Sequence, residues 1–558
     1  MRDTRIATYD VGRLHALTSI LVRYGFGDVV RRLGFSRVIA RAGRLLPLDH
    51  LTELVALPPP VRVRRALEEM GPCFVKLGQM LAGRVDLLSP EWIAELSLLQ
   101  NAVPPVPYEL IRSEIRDALG VEPEEAFHSV EAIPLAAASI AQVHRARLRD
   151  GREVVVKVRR PGICPLIEAD LRLLQFAARR IEARFPDARH FRPAGMARQF
   201  RDSLRRELDL AAECHNAERI AASFARDPRL LIPSVHWACT NERMNVQDFV
   251  DGIPAGDLQA IEAAGLDPQM IARTGAQLVL KMLLEDGFFH ADPHAGNVFV
   301  LRDGRIAVVD FGMVGRLSKP RRMEVVNLLF GLVERDATAV TEVLLGWTGR
   351  LDADEDQLVA DIDTFVDRYH GTPLGELNLA AMLLDVTVLL RSHRLTLPAD
   401  LAMLIKVCLT LDGLGRKLDP TFDMAKQAQP FLRRAIAMQY SPLAAARRGA
   451  AFLADSTALL ASLPRDLRRL LRVVRAGGRL HMQLDELREF STSLSHAANR
   501  LAASLIIAAL IIGSSITMTV KGGPTLLGLP LFASLGFAGA FIAGICLLWW
   551  IFRSGGGR

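Results

Sequence analysis

One short pattern narrows the folds open to this 558-residue chain more than any other feature. The stretch Gly287-Phe-Phe-His290-Ala-Asp292-Pro-His294-Ala-Gly296-Asn297 is followed, thirteen residues after Asn297, by Asp310-Phe311-Gly312. The apolar run Ile306-Ala-Val-Val309 leads into the second piece. Phosphoryl transfer needs a carboxylate near the attacking hydroxyl or water, and two further groups to hold Mg2+ against the phosphates. Asp292 is the candidate for the first role, as base or positioning group. Asn297 and Asp310 are the candidate metal ligands. An HxD or a DFG alone is a weak signal; both together at this spacing are strong.

The order is that of protein kinases, so ATP and Mg2+ are the expected cofactors. A kinase also needs a lysine on the third strand of its N-lobe. Gly151-Arg-Glu-Val154-Val155-Val156-Lys157-Val158 reads as a turn and then a β-branched strand carrying Lys157. Lysine is scarce here, 8 against 61 Arg, which adds weight to one at this place. Its partner should be a Glu on a helix, and Glu207-Leu208-Asp209-Leu210-Ala-Ala-Glu213-Cys-His-Asn216 offers Glu207 and Glu213. The 56-residue step from Lys157 to Glu213 exceeds that of an ordinary kinase, so helical chain is inserted between them.

The phosphate loop departs most. Where glycines belong stands Pro134-Leu-Ala136-Ala137-Ala138-Ser139-Ile140-Ala141-Gln142-Val143. Glycine lets backbone N–H groups approach phosphates and adopt positive φ, and a Cβ obstructs both. The loop should still bind nucleotide, with transfer to a bulky protein acceptor disfavoured.

Composition explains the two ends. Half the residues are hydrophobic and 23% charged, which excludes a disordered chain. Six scattered cysteines without paired spacing exclude a disulfide framework and fit a reducing compartment. The net charge of +7 suits a membrane surface or nucleotide phosphates at least as readily as nucleic acid, and no nucleic-acid partner is expected. No secretory signal opens the chain; Leu14, Leu17, Leu21 and Tyr24 recur at helical spacing instead. At the other end, Leu501 to Val520 carries no charge and is long enough to cross a bilayer. Lys521 to Pro524 forms a turn, and Thr525 to Phe552 is again uncharged, ending near Trp549 and Trp550. Arginines from Arg465 to Arg500 and at Arg553 and Arg558 flank the pair, so both ends are expected in the cytoplasm.

The sequence resembles the UbiB/AarF family of atypical kinases from about residue 60 to the C-terminal hairpin. The marks are the KxGQ element Phe74-Val75-Lys76-Leu77-Gly78-Gln79 with Arg84, Asp86 and Pro90 after it, the alanine loop, the strand ending at Lys157, Glu207-x-Asp209, and the two motifs above. The resemblance implies a membrane-attached ATPase or kinase supporting ubiquinone biosynthesis at a bacterial-type inner membrane. Its partners would be membrane lipids, isoprenoid quinone precursors and the enzymes of that route. Carried over by motif, Glu213 pairs with Lys157. Ala136, Ala137, Ala138, Ser139, Ile140, Ala141, Val143 and the hinge residue Asp248 contact ATP. Lys76, Gln79, Glu207 and Asp209 belong to a lid that closes the site against protein substrates. The family's serine before Arg84 is Ala82 here, its first proline after Asp86 is Ser89, and its hinge Glu is Asp248. No APE follows Gly312.

The expected architecture is α+β, a bilobal kinase-like fold with extra N-terminal KxGQ helices and a two-helix transmembrane hairpin at the C-terminus. Residues 1–107 would hold the KxGQ helices, 108–250 the N-lobe with its insertion, and 251–427 the C-lobe. Residues 428–500 would form a juxtamembrane region and 501–558 the hairpin. Two other readings stay open, a genuine protein or small-molecule kinase and a pseudokinase scaffold. The KxGQ element and alanine loop argue against the first, the intact Lys157, Asp292, Asn297 and Asp310 against the second.

Overall fold

The computed structural model describes residues 8–34, 56–348 (apart from 85, 100–102 and 335), 355–369 and 379–439 (apart from 394 and 396), with residue 54 and short pieces between 509 and 540. The chain divides into two compact units, residues 1–445 and 446–558.

The first unit opens with α1 (Thr8–Arg23), α2 (Gly27–Arg32), α3 (Pro59–Met70), α4 (Pro72–Ala82), α5 (Pro90–Leu96) and α6 (Tyr108–Leu119). Then come β1 (Phe127–Val130), β2 (Ala136–Ala137), β3 (Ala141–Leu148) and β4 (Glu153–Arg159). They continue through α7 (Ile163–Arg184), α8 (Pro193–Glu207) and α9 (Leu210–Ser223) to β5 (Leu230–Leu231), β6 (Met244–Asp248) and β7 (Ile253–Pro254). β1, β3, β4 and β6 form an antiparallel sheet in that order, with β2 paired to β3. Alternation sorts its faces. Val154, Val156, Val158, Met244 and Val246 are almost fully buried in one cluster with Ile111 and Ile115 of α6. Lys157 therefore faces the other way, with its cross-strand neighbour Asn245 beside it.

The C-lobe begins with α10 (Pro268–Leu280), which passes into a π-helical turn at Lys281–Asp286. Gly287 ends that turn at φ +68°, where a Cβ would stand 2.5 Å from the Leu317 carbonyl oxygen. Only glycine fits there, and the reversal delivers His290 on β8 (Phe288–His290). β9 (Val298–Val300) and β10 (Ile306–Val308) pair with each other, and β11 (Val314–Arg316) pairs with β8. The remainder is helical: α11 (Lys319–Glu334), α12 (Ala337–Thr348), α13 (Glu355–Tyr369), α14 (Leu379–Ser392), α15 (Ala399–Leu418) and α16 (Met424–Gln439). α15 buries Leu401, Leu404, Ile405, Val407, Cys408 and Leu411 in the core it shares with the C-lobe. The boundary placed at residue 427 is corrected: it falls inside α16, whose Ala428, Phe431 and Leu432 belong to that same core.

The insertion, α7 and α8, has a clear packing role. Ile163, Ile167, Leu171, Phe200 and Leu204 share one apolar cluster with Leu17 and Ile20 of α1, Leu67 of α3, and Phe74 and Val75 of α4. Arg13 of α1 ties this cluster together, donating to the fully buried Asp170 of α7 at 2.6 and 2.9 Å and also to the Met70 carbonyl. The N-terminal helices and the insertion are thus one substructure with its own core.

In the second unit the described pieces are short. Residues 511–516 are helical, and β12 (Thr525–Leu526) pairs antiparallel with β13 (Leu529–Pro530). The expectation that an apolar span starts at Thr525 is corrected there, because the turn region reaches to Pro530. The rest of the expected hairpin and nearly all of residues 428–500 beyond α16 lie outside the described residues. Among the described residues no helix is long and apolar enough to cross a membrane.

Candidate nucleotide and phosphoryl-transfer site

Lys157 is the centre of the site. Its Nζ lies 2.9 and 2.8 Å from the two carboxylate oxygens of Glu213 on α9, and 3.2 Å from Asp310 Oδ1. Burial alone would strip the lysine's proton, but Asp310 and Glu213 overcome that and hold it charged. Burial also acts on the carboxylates. It pushes Glu213 up to about 7 against the opposing pull of Lys157. Asp310 stays well below the usual carboxylate range, because Lys157 and Lys76 outweigh the effect of burial. Although protein surrounds Asp310, 49% of its side chain surface faces open space.

Asp310 takes a left-handed backbone, φ +60°, one of two non-glycine residues to do so among the described residues. Such strain persists where neighbours over-determine it. Here Asp310 Oδ1 accepts from Gly312 N–H at 3.3 Å, and Asn216 Nδ2 of α9 donates to the Phe311 carbonyl at 3.1 Å. His290 supplies a further tie. Its Nδ1 accepts from Asp292 N–H at 3.0 Å, and its Nε2 lies 3.2 Å from the Val309 carbonyl, which fixes the Nε2–H tautomer. Burial pushes its pKa down, so it is a neutral bridge between the two motifs. Asn297 Nδ2 donates to the Asp292 carbonyl at 3.2 Å, which orients the amide.

The alanine loop is closed as a tight turn. Ala136 and Ala137 pair with Val143 and Gln142, and Ala138 N–H donates to the Ala141 carbonyl at 2.9 Å. Arg160, at the end of β4, pins it by donating to the carbonyls of Ala138 and Pro104 at 3.0 and 2.8 Å. Ile140 is buried in the lid cluster.

The lid residues separate. Lys76 forms an ion pair with Glu207, at the end of α8. Burial would discharge Lys76, and Glu207 keeps it protonated. Gln79 donates to the Leu99 carbonyl at 3.0 Å. Asp209 is not brought to Lys76: its carboxylate caps α9, accepting from the N–H groups of Ala211 and Ala212. That is the ordinary task of an Asp before a helix. Asp248, the expected hinge residue, ends β6, and its Oδ1 accepts from His236 Nε2 at 2.7 Å.

Lys76, Glu207, Asp292, Asn297 and Asp310 line one cavity of about 600 Å3. Met80, Ile93, Leu96, Leu99, Phe200 and Leu204 wall it with apolar surface from α4, α5 and α8. The sequence reading missed one of its charged groups. Lys406 of α15 donates to Asp292 Oδ1 at 2.8 Å. The only available signal was the rarity of lysine, here between the apolar runs Leu401–Ile405 and Val407–Leu409. Burial would push Asp292 up, and Lys406 overcomes it and holds the carboxyl below the usual range.

The groups present fit Mg-ATP. Asp310 and Asn297 offer hard oxygens, a set suited to Mg2+ when substrate phosphates complete its shell. No cluster of three metal-binding His, Cys, Asp or Glu side chains occurs among the described residues, so an all-protein metal cage is not built here. Ser139 Oγ in the alanine loop and Asn245 Nδ2 beside Lys157 are buried without a hydrogen-bond partner. Orphaned polar atoms at this place suit a polar ligand.

Comparison with known proteins supplies the family. Residues 98–344 match the ABC1 atypical kinase-like domain, 362–423 the UbiB helical domain, and 485–553 the ABC1/UbiB kinase-like C-terminal domain. Proteins named probable protein kinase UbiB from Cronobacter sakazakii and Klebsiella pneumoniae are each 34% identical over 434 residues, covering 76% of this chain and 79% of theirs. A solved structure titled as the complex of Rv3197 with erythromycin from Mycobacterium tuberculosis is 23% identical, with a TM-score of 0.44 over 57% of this chain and 80% of that one. With these models matched along the chain and 34% identity to the UbiB proteins over 434 residues, the chain belongs to the UbiB family of atypical kinase-like proteins.

Proposed function

We propose that this protein is a membrane-attached, Mg-ATP-dependent atypical kinase or ATPase that supports ubiquinone biosynthesis by handling lipid quinone precursors. The observation that carries the reading is the Lys157–Glu213–Asp310 cluster, whose Asp310 lines one cavity with Asn297 and Asp292. Bound Mg-ATP would supply the transferable phosphoryl group and part of the charge neutralisation. Lys157 is held charged for the phosphates, and Asn297 and Asp310 present oxygens to the metal. Asp292, ionised and paired, is a weak base and is better suited to orienting an attacking hydroxyl or water. Membrane attachment is assigned to the two uncharged runs after residue 500, with their flanking arginines on the cytoplasmic side. The matches to proteins named UbiB support the place in ubiquinone synthesis.

A second reading, transfer to a small molecule, is supported by the cavity. Its volume of about 600 Å3 suits a small acceptor, while α4, α5 and α8 stand where an extended polypeptide would need to lie. The test is nucleotide-induced thermal stabilisation. Lys157→Ala and Asp310→Asn should each abolish the melting shift produced by saturating Mg-ATP. Turnover by the wild type should rise with a quinone-precursor-like phenol and anionic lipid. Two variants that keep the full shift would overturn the site assignment, and a phosphorylated phenol among the products would favour the second reading.

A further inference from the structure

The kinase-like motifs and the Lys76–Glu207 pair account for every charged group at the cavity except Lys406. This lysine lies in the helical region, 114 residues from Asp292, yet its Nζ is 2.8 Å from Asp292 Oδ1. Both side chains are about 30% exposed and both line the cavity with Asn297 and Asp310. The other groups facing Asp292 are weaker partners. His294 Nε2 stands 3.9 Å from Oδ2, His290 meets only the backbone N–H, and Asn297 meets only the carbonyl. Lys406 is the one side chain that grips the carboxylate at hydrogen-bond distance among the described residues.

Its position is set by the lid. Leu397, two residues before α15, donates its N–H to Asp86 Oδ2 at 3.0 Å, and its carbonyl accepts from Arg84 Nη2 at 3.3 Å. Arg84 and the fully buried Asp86 are joined by two hydrogen bonds of 2.8 and 2.7 Å. Arg391 of α14 reaches back to the Leu88 carbonyl at 2.8 Å. The lid also touches the lysine itself, since a Cβ on Gly83 would stand 3.3 Å from Lys406 Cδ. One end of α15 is clasped by the lid, and the stem of Lys406 runs along it.

We propose that Lys406 is the positioning residue of Asp292, and that the Arg84–Asp86 grip on Leu397 is the latch that holds it in place. This rests on the reading of Asp292 as the group that orients the attacking hydroxyl or water. The ammonium fixes one carboxylate oxygen and leaves the other toward the cavity.

The test uses the full chain in lipid nanodiscs. ATP turnover is followed for the wild type, Lys406→Met, Lys406→Arg and Asp86→Asn, with KM for Mg-ATP and the Mg-ATP melting shift measured on each. Lys406→Met should keep the melting shift and KM and lose about 10-fold or more in kcat. Lys406→Arg should recover part of that kcat. Asp86→Asn should lower kcat in the same direction as Lys406→Met, by less. Lys406→Met with wild-type kcat overturns the proposal. Where Lys406→Met unfolds, melting of Asp292→Asn and of the double variant decides. Restored stability in the double variant supports the pairing, and strict additivity overturns it. A wild type that binds Mg-ATP but turns none over refutes the functional reading and this inference together. Failure of the inference alone leaves turnover intact in both proteins.

Discussion

Replacing Lys157 with Met removes the cation that Glu213 meets through both oxygens. The effect on stability should depend on pH in a way the site dictates. Glu213 is 5% exposed, and its pKa stands at about 7 against an ordinary 4.5 even with Lys157 beside it. Between those values the native protein holds a proton that the unfolded chain has lost. Stability therefore falls as pH rises through the window and levels off above it. At roughly 1.4 kcal/mol per unit, the wild-type loss levels off near 3 kcal/mol. Without Lys157, Glu213 keeps its proton to higher pH and the decline continues. The variant's extra loss from this group is then near zero at acid pH and grows above about pH 7 by at most roughly 1.4 kcal/mol per pH unit, for as long as Glu213 keeps its proton. Thermal unfolding of both proteins between about pH 5.5 and 9 checks the slope. At about 2 °C per kcal/mol, the gap in Tm should widen by at most about 3 °C per pH unit above 7. A gap that is constant or narrows would refute the assignment of Glu213 as the buried, titrating member of the cluster.

Two further outcomes concern the lid. Lys76→Ala and Glu207→Gln, whose side chains are 21% and 30% exposed, should each change ATP turnover without unfolding the protein, and their double variant should depart from additivity by about 1 kcal/mol. Strict additivity would take the pair out of the site. Gly78→Ala would place a Cβ 2.2 Å from Leu99 Cδ1 and 2.9 Å from Leu67 Cδ1, inside a filled cluster. It should destabilise the lid by about 1–3 kcal/mol, read as faster hydrogen exchange over residues 72–82 with the N-lobe strands unchanged. Wild-type exchange in that helix would mean the cluster has slack.

What was legible in the sequence follows from distance along the chain. The strand lysine and the two motifs around Asp292 and Asp310 are recognisable because short turns fix their steps. Asp209 and Asp248 carry local signals of their own. An Asp directly before Leu-Ala-Ala-Glu is a helix N-cap signal. Period-two counting along β6 puts Asp248 with Met244 and Val246, on the core side, away from Asn245 and Lys157. The length of the insertion was legible and its partner was not, because an amphipathic face announces burial without naming what covers it. Lys406 and the latch on Leu397 were beyond reach for a similar reason. Their partners lie 114 and 311 residues away, and no local period connects them.

The apolar bed shared by α4, α7 and α8 has a mechanical consequence. α8 is at once a wall of the cavity and the lead-in to α9, with only Leu208 and Asp209 between them. Sliding α4 out of the cavity mouth must either tear Phe74 and Val75 from Phe200 and Leu204, or drag α8 along. In the second case the pull reaches Glu213 within one helical turn of the junction, and the carboxylate leaves Lys157. Along that second route doorway and firing pin are wired as an interlock: the cavity opens only as the Lys157–Glu213 pair parts.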